Sequence, residues 1–200
     1  MASAPYPVHL DVDYDEGPRD RLTVLLRVVV AIPALVVLAS LGSANNVGAT
    51  GAGGLFLATL LMLVFRHKYP GWWFDWTLNL TRFSNRVFAY LLLLRDEYPS
   101  TDEEQHLHLT LPDPQGGAVL NRWMPLVKWL LVIPHLVVLV VLWITAVLAT
   151  IVSWVAILVT GRHPRSLHDF VVGVFRWSVR VEAYAFALVT DVYPPFRLAA

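Results

Sequence analysis

The sequence predicts an all-α membrane protein built of two tandem repeats, each a short N-terminal strand, an apolar transmembrane helical hairpin and an amphipathic interfacial helix. Three observations predict it. Of 200 residues, 56% are hydrophobic and only 15% charged, whereas about a quarter of a soluble domain is charged, so the surplus apolar surface needs lipid. The 15 basic and 15 acidic residues all lie outside two windows, residues 28–65 and 129–161. The second half of the chain also repeats the first.

The N-terminal stretch "MASAPYPVHLDVDYDEGPRDR" is polar and acidic. It lacks the basic start and immediate apolar core of a secretory signal, so it is expected to be retained, with insertion directed by the later apolar segments. Within it, "VHLDVDY" from Val8 alternates apolar and polar residues in the period of a half-buried strand.

A helix needs roughly 20 apolar residues to cross the hydrocarbon, and either charge-free window drawn as one straight helix reaches about 50 Å or more. Each window is therefore read as a hairpin. "LGSANNVGATGAGG" from Leu41 to Gly54 supplies the first break, because Gly and Asn clusters punctuate helices. The second window offers only "ITAVLATIVS", which calls for a tight turn. The returning limbs, Gly54 to Phe65 and roughly Val147 to Thr160, are short for a full span. They are tilted, thin the bilayer locally, or stop short of the far leaflet.

Basic residues test this independently, because they accumulate in short loops on the cytoplasmic side. Single crossings divide them into eight (Arg19, Arg21, Arg27, Arg162, Arg165, Arg176, Arg180, Arg197) and seven (Arg66, Lys68, Arg82, Arg86, Arg95, Arg122, Lys128), which gives no bias. Hairpins place all 15 on one side. Both termini are then cytoplasmic.

The duplication pairs "RLTVLLRVVVAIPALVVL" from Arg21 with "RWMPLVKWLLVIPHLVVL" from Arg122, matching Arg27 to Lys128 and Pro33 to Pro134. It pairs "KYPGWWFDWTLNLTRFSNRVFAY" from Lys68 with "RHPRSLHDFVVGVFRWSVRVEAY" from Arg162, matching Asp75 to Asp169, Arg82 to Arg176, Arg86 to Arg180 and Tyr90 to Tyr184. "DEYP" from Asp96 then pairs with "DVYP" from Asp191, and "LHLTL" from Leu107 answers the first strand. The first repeat is residues 1–99, with its hairpin at about 21–65 and amphipathic helix at about 72–95. The second is residues 100–200, with its strand at about 106–111, hairpin at about 122–160 and amphipathic helix at about 166–189. The acidic "DEYPSTDEEQ" links them.

The "IPHLVVL" helix, "TGRHP", "DFVVGVFRW", "RVEAY" and the "TDVYPPF" ending resemble the bacterial membrane family called domain of unknown function 4389. The resemblance implies a duplicated architecture in the bacterial cytoplasmic (inner) membrane, and brings no catalytic residues. The first repeat departs from it, with "FRHKYPGWWFDW" in place of the TGR-type motif.

On the two amphipathic helices, Asp169, Gly173, Arg176, Arg180 and Tyr184 share one face, as do Asp75, Asn79, Arg82, Arg86 and Tyr90. Either the helices lie flat with this stripe toward cytoplasmic water, or they span with the stripe inside a bundle. A charge at the bilayer centre costs at least about 2.5 kcal/mol, so the flat arrangement is cheaper. Arg82, Arg86, Arg162, Arg165, Arg176 and Arg180 are then expected to meet anionic lipid headgroups or a partner's carboxylates, with Trp72, Trp73, Trp76 and Trp177 as headgroup-level anchors. Asp75 and Asp169 are placed in the first helical turn, where a carboxylate suits the dipole. Arg86 with Tyr90 and Arg180 with Tyr184, spaced i, i+4, are available for cation–π contacts. Pro33 and Pro134 are read as kinks, and Arg27 and Lys128 as residues snorkelling to the interface.

With no cysteine there is no disulfide, thiolate metal site or Cys nucleophile. Zero net charge and the absence of any basic–aromatic groove argue against nucleic acid. No H-E-x-x-H, G-x-S-x-G, Walker or G-x-G-x-x-G motif occurs, so neither cofactor nor metal is expected. His106 and His108 would share a strand face, read as solvated. His135 is the lone ionisable side chain inside a charge-free window, explained by a bond to a neighbouring helix. The resulting expectation is a non-enzymatic accessory or scaffold protein that binds anionic lipid and a partner membrane protein, or forms a homo-oligomer. The alternatives are a small carrier or channel of two parallel repeats, and a membrane enzyme using His163, His168 and Asp169.

Overall fold

The computed structural model describes residues 6–44, 51–101, 103 and 105–199. In chain order the elements are β1 (His9–Val12), α1 (Arg21–Val30), α2 (Ile32–Ala44), α3 (Gly51–Arg66), α4 (Gly71–Leu91), β2 (Leu107–Thr110), a 3-10 turn (Gln115–Gly117), α5 (Pro125–Leu131), α6 (Ile133–Thr160) and α7 (Arg165–Ala185). The chain is mostly helical, as its composition requires.

Three layers stack on one another. The outer layer is a two-stranded antiparallel sheet in which β1 pairs with β2 in the register Leu10↔Leu109. Alternation along each strand turns Leu10, Val12, Leu107 and Leu109 inward and leaves His9, Asp11, His108 and Thr110 exposed. The middle layer is α7 beneath β1 and α4 beneath β2, so each strand covers the amphipathic helix of the other half of the chain. The inner faces meet Val171, Val172, Val174, Phe175 and Val179 of α7, Ala89 of α4 and Ala146 and Ala149 of α6 in one core. Burying each such Val, Leu or Phe is worth roughly 1.5–3 kcal/mol.

The third layer holds the apolar helices. Here α6 runs back along α7, and α2 lies against α4 through Ala34, Leu35, Leu38 and Leu41 on Phe83 and Val87. Helix α1 crosses to α6, and α5 crosses to α3. On α6 the buried residues are His135, Leu139, Ala146, Ala149, Ser153 and Ile157, a single stripe at three-, four- and seven-residue intervals. Leu142 and Trp143 are half-buried beside this stripe, and the opposite side of the helix is mostly exposed Val, Ile and Leu. By length and composition two helical segments, Arg21–Leu41 and Ile133–Thr160, are apolar enough to cross a membrane, and each is only 22% buried. That fraction is far from the enclosure of a soluble core helix.

The helices are interrupted just before a proline, which has no backbone N–H to donate. α1 gives way to α2 at Ala31, just before Pro33, and α5 gives way to α6 at Val132, just before Pro134. Hydrogen bonds on either side continue the path, from Val132 N–H to Lys128 O and from Leu136 N–H to Val132 O.

Two expectations require correction. The tight turn in "ITAVLATIVS" does not form, because α6 runs unbroken from Ile133 to Thr160. That stretch has no Gly, Pro or Asn, and its Ala146, Ala149 and Ser153 supply the small residues of the stripe under α7. The helix ends only at Gly161, whose left-handed φ of 76° caps it. In the first half α2 and α3 are separate and in contact. The middle of the expected break from Leu41 to Gly54, residues 45–50, lies outside the described residues, as do residues 102 and 104 of the acidic linker.

The second correction concerns the amphipathic helices, which do not lie alone at a surface. They form the middle layer, and α7 buries thirteen residues, including Trp177 and Arg180. Asp75 and Asp169 also sit one turn in from the helix starts at Gly71 and Arg165, and the first turns hold no acidic residue.

Candidate functional site: two buried cations and two arginine faces

Arg27 and Lys128, expected to reach the interface, are instead 2% and 0% exposed. Each is held by an acid, a carbonyl and an aromatic ring. Lys128 Nζ lies 2.7 Å from Asp191 Oδ1, donates to Thr190 O at 2.7 Å and stands 4.9 Å from the centre of the Tyr184 ring. Arg27 pairs with Asp96, donates to Tyr90 O and Arg95 O at 2.9 Å each, and stands 4.5 Å over the Tyr90 ring. Asp96 also takes Arg19 at 3.1 Å, while Asp191 also accepts the Asn121 N–H at 2.6 Å. Each cation thus ties the first helix of its half to the chain just past its amphipathic helix. Tyr90 and Tyr184 take these cations, so their expected i, i+4 pairing with Arg86 and Arg180 is replaced by a longer-range contact.

The arginine stripes face the sheet and the C-terminal segment. Arg176 donates from Nε to Leu10 O at 2.8 Å, from Nη1 to Leu198 O at 3.3 Å, and pairs through Nη2 with Asp11 at 3.0 Å. Arg82 donates to Leu109 O at 3.4 Å, and Leu109 is the strand partner of Leu10. Arg180, 1% exposed, donates to Arg197 O at 3.3 Å and Ala199 O at 2.9 Å, and its guanidinium lies 5.8 Å from the Tyr6 ring. Burial pushes its pKa down, with Arg197 and Arg176 adding to the effect. Gly173 makes this cover fit, since a Cβ there would sit 3.0 Å from Leu198 Cβ. Arg180 and Trp177 are therefore internal, which corrects their placement at headgroups.

Arg82 and Arg86 keep an outlet. With Asn79, Thr101, Glu103, Gln105 and His108 they line an open polar pocket of about 480 Å³, and Arg86 donates to Ser100 O at 2.8 Å. Arg162 and Arg165 are exposed at the turn between α6 and α7. With Tyr14, Asp15, Glu16, Gly17 and His163 they line a second pocket, of about 430 Å³, where Arg165 lies 3.7 Å from Glu16. Of the expected tryptophan anchors, Trp72 and Trp76 are exposed, while Trp73 is half-buried and donates to Thr59 Oγ1 at 2.8 Å. Trp123, just before α5, and Trp129, within it, are also exposed and are not among the anchors expected from sequence. Their spacing from Arg122 and Lys128 was the available signal.

The histidines sort by burial. His135 accepts the Trp177 Nε1–H at Nδ1 (3.0 Å) and stacks on Phe196, with ring centres 3.8 Å apart. His106 and His108 are exposed beside Asp13, at 3.1 and 3.6 Å, and the His106 hydrogen bond holds the Asp13 carboxyl below its usual range. Among the described residues no three His, Asp or Glu side chains form a metal-binding group. His163 and His168 are buried with rings 5.6 Å apart, and His168 Nδ1 lies 3.4 Å from Asp169 Oδ1.

Burial pushes His163 from 6.5 down to about 4. The folded state then binds its proton more weakly than the unfolded chain, so this stability is complete above about pH 6.5 and is lost as pH falls toward 4. Denaturant unfolding at pH 7 and pH 5 is expected to differ by about 2 kcal/mol from this group, and His163→Asn is expected to flatten the difference.

Residues 122–197 match the family model described as Domain of unknown function (DUF4389). That span covers α5, α6, α7 and the C-terminal segment up to Arg197. No curated protein and no solved structure matches the chain.

Proposed function

We propose that the chain is a non-enzymatic accessory or scaffold protein of the bacterial cytoplasmic membrane, built from two tandem copies of one unit. Its apolar layer sits in lipid, its exposed arginines hold anionic headgroups, and its sheet side receives a partner membrane protein. One observation carries this reading. Exposed large apolar side chains crowd α1, α2, α3, α5 and α6, from Leu22 to Val159, while the exposed charges of Asp11, Asp13 and Glu16 lie on the sheet side. A soluble monomer rarely exposes more than a few hundred Å² of contiguous apolar surface. The matched contacts of Arg27 and Lys128, and those of Arg82 and Arg176 on paired strand residues, support the duplication.

Arg162 and Arg165 stand at the border between the two surfaces, one turn beyond the end of α6. Basic side chains at a lipid surface are worth about 1 kcal/mol each toward anionic lipid. The ratio of phosphatidylglycerol to phosphatidylcholine retained through mild-detergent purification from a defined mixture is therefore expected to fall roughly tenfold or more in an Arg162→Gln, Arg165→Gln variant. An unchanged ratio would contradict the headgroup role.

A further inference from the structure

On the basis of the membrane reading above, we infer that the protein occupies a single leaflet, with α6 lying along the membrane plane rather than crossing it. Both ends of α6 are tied to the same polar layer. At its N-terminal end, Lys128 holds Asp191, Tyr193 donates to Leu131 O, and Tyr6 donates to the neighbouring Val192 O. At its C-terminal end, the Arg19 N–H donates to Gly161 O and Tyr14 donates to His163 O. Tyr6 and Tyr14 flank the four residues of β1. The first strand and its flanks thus run from one end of α6 to the other, on the far side of α7.

The middle of this stack makes the same point. α7 binds Leu10 O and Asp11 through Arg176, halfway along its length, and α6 packs beneath that region through Trp143, which contacts Phe175 and donates to Ser178. An upright or tilted α6 would hold Asp11 and Asp13 near mid-depth, where an acidic side chain costs about 2.5–3.5 kcal/mol on the insertion scale. The length of α6 argues alike. Twenty-eight residues reach about 42 Å against about 30 Å of hydrocarbon, yet apolar side chains are exposed at both ends, Ile133 at 43% and Val159 at 71%. Laid in the plane, the whole helix immerses its outer arc while the charges of the sheet stay in water. The partner fitting this surface is the acyl region of one leaflet.

The chain has no cysteine, so single replacements at Val137, Ile144, Ile151 and Val159, all exposed on one side of α6, each carry one nitroxide label. Depth is then read by power saturation with oxygen and a water-soluble nickel chelate in phosphatidylcholine–phosphatidylglycerol vesicles. The expected result is one common depth for all four, within one leaflet. Depths that run through the bilayer centre and separate Val137 from Val159 by up to about 33 Å overturn the inference while leaving the membrane reading intact. Full chelate access at every label, in protein that does not float with the vesicles, overturns both.

Discussion

Replacing Asp191 by alanine is expected to destabilise the protein by about 3–5 kcal/mol, the cost of leaving a buried cation without its acid. Lys128 is fully buried, and its other contacts are a neutral carbonyl and the Tyr184 ring. Neither replaces a carboxylate at 2.7 Å. In thermal unfolding in detergent this corresponds to a midpoint lower by roughly 6–20 °C for a chain of this size. The pair itself contributes much less, because bringing both charges out of water offsets most of their attraction. Lys128→Met combined with Asp191→Leu is therefore expected to recover most of the loss, and a double variant as unstable as Asp191→Ala would refute this account of the contact. Asp96→Ala should act in the same direction, since Asp96 serves both Arg19 and Arg27.

Placing aspartate at Ile144 and Leu148 together is expected to reduce the fraction of protein retained in membranes after alkaline carbonate extraction at least a hundredfold. Both side chains are more than half exposed on α6 and belong to no core cluster, so the change acts on lipid contact and leaves the fold intact. Each aspartate costs up to about 2.5–3.5 kcal/mol in hydrocarbon, and two exceed the factor of a hundred even at a shallower depth. Aspartate at His9, exposed on the outer face of β1, is the matched control and is expected to leave retention unchanged. Equal retention of all three proteins would show that the exposed side of α6 does not meet lipid.

What the sequence disclosed is what residue type alone determines. Charge-free windows marked the apolar helices, alternation marked both strands, and the amphipathic helices expected from about residues 72 and 166 begin at Gly71 and Arg165. What stayed hidden depends on partners distant in the chain. Asp191 was visible as the match to Asp96, but nothing local says that it closes on Lys128. The arginine stripes read as surface because arginine is usually exposed. Their acceptors are carbonyls of Leu10, Leu109, Arg197 and Ala199, and a backbone carbonyl leaves no trace in the choice of side chain. The turn inferred in α6 failed for a related reason. A charge-free window too long for one upright crossing suggests a hairpin, whereas the helix runs unbroken along α7.

A protein held in one leaflet keeps every exposed ionic group in one aqueous compartment. Single cysteines at Glu16, just after β1, Thr101, between α4 and β2, and His108, within β2, all exposed, can be treated with a membrane-impermeant maleimide on intact cells and on inverted vesicles. All three are predicted to react in inverted vesicles and none on intact cells. Labelling of Thr101 from the outside together with Glu16 from the inside would contradict it.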